Sequence, residues 1–249
     1  MTIITTKRNG RLGNQIIRNL AVSFIAKNHD LKVCYSSAEL INKLGIELYC
    51  GRLVYTSGKV LNDKNYFETL NIEKLEYKLN PNKYFFQTYD ITKLIYSHIH
   101  SDEVKSNIIK CNPYKERYNN NNDLYLHVRL GDTEKFARKT NPGIEYYKKA
   151  INMNKFDNLY ISTDAPNHEI IKTLLSTYLN ASLIKYNEVN TIQFASTCKN
   201  VILSHGSFSA IIGYLSFFSN VYYPKYRIGG KQMWHGDIFS IDGWIEIDL

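Results

Sequence analysis

Four short stretches of the chain gather side chains that bind anions or organise turns. LHVRLGDT, residues 126–133, packs a histidine, an arginine and an aspartate between positions 127 and 132. Arginine presents a planar fork of N–H donors that matches a pair of phosphate oxygens, so Arg129 is a candidate anion ligand. Asp132 either holds the turn or accepts from a ligand hydroxyl; the plain alternative is an Arg129–Asp132 salt bridge at a strand end, with His127 in the core. SHGSFSAIIGYL, residues 204–215, runs small residues into an apolar segment. A helix starting there offers free amides and a positive end at Gly206, Ser207, Phe208 and Ser209, which bind phosphate without a lysine. Equally, Ser207 or Ser209 serves only as a cap. ISTDAPNHE, residues 161–169, puts Ser162, Thr163 and Asp164 where a strand gives way to a helix, with Pro166 suited to a first helical turn. Capping by Asp164 or Thr163 accounts for that stretch without a ligand. In GRLGNQ, residues 10–15, glycines flank a turn and Asn14 and Gln15 offer amides at a helix start. Its plain reading is a βα turn with Gly10 and Gly13 at positive φ.

These residues need elements to hold them. Residues 123–129 predict a strand, on which His127 and Arg129 point the same way at the C-terminal end. In an open α/β sheet that is where ligands sit. Beyond it the pattern alternates: helix near 144–151, strand 158–163, helix 167–179, strand 182–186, helix 190–198, strand 201–205, helix 208–219, strand 221–224. Strands separated by helices predict a Rossmann-like parallel sheet covered on both faces. The turns after His127 and His205 then share one sheet edge, so a single pyrophosphate can be held between the helix start and Arg129.

The N-terminal part predicts a strand at 2–6, a turn, a helix over 14–28 with Ile16, Ile17, Leu20, Ala21, Phe24 and Ile25 on its buried face, and a strand at 31–36. That is a β-turn-α-β unit. Residues 37–118 give no topology. The run YNNNND at 118–123 reads as a linker, because asparagine neither packs nor propagates regular structure well, with a solvated loop as the alternative. The expectation is an α/β protein with domains at 1–118 and 119–249.

The 249 residues are 44% apolar and 22% charged, as in globular proteins. A net charge of +8 favours an anionic partner: nucleic acid, a phosphate-bearing small molecule or an acidic glycan. The basic residues are dispersed and no aromatic-basic signature of a nucleic-acid module occurs, which ranks nucleic acid below the others. Cys34, Cys50, Cys111 and Cys198 show neither C-x-x-C pairing nor metal-like spacing and read as thiols of a reducing compartment. No signal-peptide pattern opens the chain and no stretch approaches the roughly 20 apolar residues of a membrane helix, so a soluble, cytoplasmic protein is expected. In the tail, Trp234 and His235 either stack on a sugar or pack a terminal segment, the second being the ordinary use of such residues.

Taken in order, the four stretches resemble the GDP-fucose-dependent fucosyltransferases, most closely the α-1,2-fucosyltransferases of glycosyltransferase family 11. GRLGNQ is similar to that group's G-x-L-G-N-Q signature, HVRLGD to its H-x-R-x-G-D motif, STD (162–164) to its S-D-D or T-D motif, and GSFS (206–209) to its S-S-F-S segment. The resemblance runs from residue 10 to about 224, with nothing recognised between 37 and 118. It implies a GT-B arrangement of two Rossmann-like halves, a nucleotide-sugar donor and a glycan acceptor as partners, and inverting transfer of L-fucose without cofactor or metal. It implies Arg129 as a catalytic residue that stabilises the departing GDP, and Asp132 is taken as the second catalytic residue for its nearness to the expected phosphate site. Donor binding would fall to Gly13, Asn14, His127, Arg129, Asp164, Gly206, Ser207, Phe208 and Ser209. The chain departs from the pattern in several places: Leu130 replaces a second arginine, Ala210 and Ile211 replace tryptophans, and Glu188 or Gln193 stands in for a guanine-reading aspartate. Asp132 and Glu134 are the carboxylates nearest the expected phosphate site, and neither is assigned as base. The alternatives are another nucleotide-sugar glycosyltransferase on the same scaffold, a lectin, or a basic nucleic-acid-binding protein.

Overall fold

The structure is a computed structural model that describes residues 4–6, 10–54, 59–75, 77–78, 84–131, 142–225, 227–228, 231–232 and 234–248. It divides into two compact units, Met1–Cys111 and Asn112–Leu249.

In the first unit, β1 (Ile4–Thr5), α1 (Leu12–Asn28) and β2 (Val33–Cys34) form the expected βαβ turn, with Ile4 paired to Val33 in a parallel ladder. Ile16, Ile17, Leu20, Ala21 and Ile25 are buried as their spacing requires and Phe24 only partly, but the burial is not confined to that face, since Gln15, Arg18, Asn19, Val22 and Ser23 are buried as well. Gly10 has φ +79°, a backbone that favours glycine, whereas Gly13 lies inside α1 and carries no positive φ. After α2 (Ala38–Lys43), a second parallel pair joins β3 (Lys59–Val60) to β4 (Tyr77–Lys78), with α3 (Tyr66–Asn71) between them. The buried Tyr66 hydroxyl donates to the Ala21 carbonyl at 2.8 Å, tying α3 to α1. Helices α4 (Tyr89–Ile99) and α5 (Asp102–Cys111) close the unit. Among the described residues its strands form two-stranded pairs rather than one continuous sheet.

The second unit begins ahead of the asparagine run. Asn112 donates to the Gln193 carbonyl at 2.9 Å, Arg117 pairs with Asp123 at 2.7 Å, and Asn121 donates to the Thr197 carbonyl at 2.9 Å. Residues 118–123, expected as a linker, are therefore a bonded part of this unit.

Its strands are β5 (Leu124–Val128), β6 (Leu159–Thr163), β7 (Ala181–Leu183), β8 (Asn200–Ile202) and β9 (Asn220–Pro224). They alternate with α6 (Ile144–Asn152), α7 (Glu169–Thr177), α8 (Glu188–Ala195) and α9 (Ser207–Leu215). A hairpin, β10 (Arg227–Ile228) with β11 (Lys231–Gln232), and a last strand, β12 (Ile245–Ile247), follow. The six-stranded sheet has the order β12-β9-β8-β5-β6-β7 and every pairing is parallel. The chain starts at the centre, builds outward to β7, returns beside β5 with β8 and builds outward the other way. That reversal is a topological switch point beyond the carboxyl ends of β5 and β8, the place where open α/β sheets bind ligands.

Leu124, Leu126, Val128, Leu159 and Ile161 project onto Tyr146, Tyr147, Ala150 and Ile151 of α6 and Ile171 and Leu174 of α7, all buried. Each such aliphatic side chain contributes about 2 kcal/mol by leaving water. Tyr125 and His127 face the other side, which is why all five residues of β5 are buried. The tail is a packed element: Trp244 lies so close to Gly213 that a Cβ there would overlap its ring, and Tyr214 donates to the Ile238 carbonyl at 2.8 Å. Among the described residues no helix is long and apolar enough to cross a membrane.

Candidate functional site

Two of the sequence stretches meet at this switch point. β5 brings His127 to its last turns and Arg129 just past its end, while β8 runs through Ser204 and Gly206 into α9. Gly206 precedes α9 with φ +94° and ψ 162°, a backbone region open essentially to glycine alone. A Cβ on Gly206 would overlap Nη1 of Arg129. The guanidinium therefore lies directly on the backbone that opens α9, where Gly206 offers no side-chain cap to the first helical amides. A fork of charged N–H donors and the positive end of a helix converge on one spot, which is the chemistry of a phosphate site.

Behind that spot runs a buried chain of hydroxyls. The Ser209 hydroxyl lies 2.5 Å from Nδ1 of His127 and also accepts the Ser204 amide at 3.1 Å. Ser209 is fully buried, so both contacts are shielded from water. The His127 ring also packs against Phe208, with centroids 5.3 Å apart. The Ser204 hydroxyl accepts the Arg129 amide at 3.2 Å and meets the Tyr147 hydroxyl at 3.0 Å. Burial pushes the Tyr147 phenol up, so it stays protonated.

Asp164 does not cap the helix that follows it. Its Oδ1 accepts the amides of Leu130 at 2.9 Å and Gly131 at 3.1 Å, so it organises the loop that follows Arg129 rather than capping α7. The cap of α7 is His168, whose Nδ1 accepts from the Ile170 amide at 3.1 Å, and Pro166 precedes the helix instead of opening it. Thr163 Oγ1 accepts from the Ala165 amide at 3.1 Å. Asp132 and Glu134 lie outside the described residues, as does any Arg129–Asp132 pairing.

Of the two carboxylate-or-amide stand-ins, Glu188 is exposed in the first turn of α8 at the carboxyl edge of the sheet. Gln193 is buried five residues further along, about 7 Å down the helix axis, and its carbonyl takes the Asn112 amide. Gly13 and Asn14 belong to the first unit, where Asn14 Oδ1 accepts from Gln87 at 2.8 Å and Gln15 donates to the Gly10 carbonyl at 2.7 Å and accepts from Ser37. No group of three or more His, Cys, Asp or Glu able to hold a metal ion occurs among the described residues.

No protein-family model and no curated protein sequence matches the chain. Solved structures do. The chain is similar to the fucosyltransferase NodZ from Bradyrhizobium, with a TM-score of 0.47 and 9% identity over 88% of this chain and 93% of that one. A structure of NodZ alpha-1,6-fucosyltransferase soaked with GDP-fucose gives a TM-score of 0.44 and 10% identity, covering 86% of this chain and 92% of that chain.

Two residues of the site carried no sequence signal of their own. Ser204 sits inside the quoted SHGS stretch but reads as a strand end, and Tyr147 reads as one more apolar position on an amphipathic helix. Their meeting depends on hydroxyls that lie 57 positions apart in the chain.

Proposed function

We propose that the second unit binds the diphosphate of a nucleotide sugar between Arg129 and the start of α9, and that the chain is a glycosyltransferase. The observation that carries this reading is the seating of the Arg129 guanidinium on Gly206, where α9 opens. As the glycosidic bond to the donor breaks, negative charge gathers on the departing diphosphate. A preorganised guanidinium and helix amides aimed at that charge supply the largest stabilisation such a transfer needs. The imidazole of His127 lies on the same edge, held by Ser209.

The donor is GDP-fucose in this reading, on the strength of the four ordered motifs, with Glu188 offering a carboxylate to the guanine N–H edge. Transfer inverts the sugar to an α linkage on a glycan hydroxyl, and the motif resemblance favours the α-1,2 position. Asp132 and Glu134 are the candidate bases. The GT-B pairing of two Rossmann-like halves, and the reach of Gly13 and Asn14 toward the donor, are parts of the same proposal.

The test is calorimetric titration with GDP, GDP-fucose and UDP of the wild-type protein and Arg129→Ala. Saturable binding of GDP, weaker UDP binding and a loss of at least about tenfold in GDP affinity in the variant, at an unchanged melting temperature, supports the reading. GDP binding that is indifferent to Arg129 overturns it. Tight UDP binding redirects it to another donor.

A further inference from the structure

We infer that Tyr147 is a positioning residue for the anion site, acting through Ser204 on the main chain of Arg129. The inference rests on the diphosphate reading above for its consequence in ligand affinity, and on geometry alone for the positioning itself. Tyr147 lies on α6, on the face of the sheet opposite α9, and no motif includes it. Its ring is fully buried against the core, yet its hydroxyl reaches to the end of β8 and meets the Ser204 hydroxyl at 3.0 Å.

Ser204 is the pivot between the two halves of the site. Its Oγ accepts the Arg129 amide at 3.2 Å, and its own amide donates to Ser209 at 3.1 Å, which in turn holds His127. A serine side chain has three staggered rotamers, and only one aims Oγ at the Arg129 amide. The Tyr147 hydroxyl is the second partner that selects that rotamer. Tyr147, Ser204 and Ser209 are all fully buried, so none of these bonds can be exchanged for water without opening the core. Without the phenol, Ser204 keeps its amide bond to Ser209 but loses the contact that orients its hydroxyl. The N–H of Arg129 then loses a fixed acceptor, and the residue carrying the guanidinium gains freedom. The effect on a bound diphosphate is indirect, through the direction in which the arginine leaves the strand.

The test is a double-mutant cycle of Tyr147→Phe, Ser204→Ala and the pair, read by GDP affinity, by hydrogen exchange of the Arg129 amide and by melting temperature. Tyr147→Phe should weaken GDP binding about fivefold and Ser204→Ala about tenfold, each with faster exchange at Arg129. The double variant should be no weaker than Ser204→Ala alone, because the tyrosine acts through the serine. Losses that multiply in the double variant overturn the inference, since Tyr147 then acts by another route. So does a Tyr147→Phe variant with a lowered melting temperature but unchanged GDP affinity and unchanged Arg129 exchange, which is a purely structural tyrosine. If Ser204→Ala does not fold, exchange at Arg129 in Tyr147→Phe decides alone. If the wild-type protein binds no GDP, the diphosphate reading fails, and the same exchange measurement still upholds the positioning role if faster and overturns it if unchanged.

Discussion

Nδ1 of His127 and the hydroxyl of Ser209 stand 2.5 Å apart, joining the end of β5 to the first turn of α9 across 82 positions of chain. The contact locks the opening of the helix to the strand.

Ser209→Ala removes both bonds of that hydroxyl and leaves the Ser204 amide buried without an acceptor. The expected cost is about 2 kcal/mol of unfolding free energy, read from urea denaturation.

Gly206→Ala meets two obstacles, the positive φ and the overlap with Nη1 of Arg129. The backbone strain alone costs about 1–3 kcal/mol. Because the second obstacle is the arginine side chain, Gly206→Ala should destabilise the wild-type protein more than it destabilises Arg129→Ala. Equal losses in the two backgrounds would show that the guanidinium does not rest on this glycine.

Arg117 pairs with Asp123 at 2.7 Å, and the carboxylate side chain is only 6% exposed. The guanidinium also lies 4.6 Å over the Phe194 ring. Arg117→Ala strands a buried carboxylate and should cost about 3 kcal/mol in denaturant unfolding. Adding Asp123→Asn should recover part of that loss, since the neutral amide tolerates burial better.

Alkali should unfold the protein through its buried acids. Burial raises the Cys198 thiol from an ordinary value of 9.0 to about 12 and raises the Tyr125 and Tyr147 phenols as well. A raised value means that the unfolded chain gives up its proton first. The stability these groups confer is therefore whole below about pH 9 and declines as pH climbs from there toward the folded-state values. Melting temperature should fall across that range. At neutral pH, a thiol reagent should find Cys34, Cys50 and Cys111 at once and Cys198 only after denaturation, because the first three are exposed and the fourth is buried.

The second half of the chain was legible because parallel strands buried on both faces read as short apolar runs, and α6 and α7 between them show a one-sided pattern, whereas α8 and α9 are buried nearly all round. The strand expected at 123–129 runs from Leu124 to Val128, and the helix expected from 208 begins at Ser207. That helix ends at Leu215 rather than near 219, where Ser216 turns its hydroxyl back to the Ile212 carbonyl at 2.7 Å. Residues 37–118 stayed opaque because their strands are two residues long and carry no period. β12 was invisible since Ile245, Glu246 and Ile247 gain their strand character only by pairing with β9. At the site, Arg129 and the residues of α9 announced themselves by type. Asp164 did not reveal its task, because a carboxylate after a strand caps the next helix as readily as it braces a loop 33 positions earlier.

The order of the sheet has a consequence for how the protein is made. Arg129 leaves the ribosome 75 residues before the serine that accepts its amide. Until β8 docks beside β5, the central strand has one bare flank and the arginine has nothing to close upon. Contacts of such long sequence separation form late and slowly. A nascent chain released before residue 209 would thus carry every basic group of the anion site and be unable to assemble it.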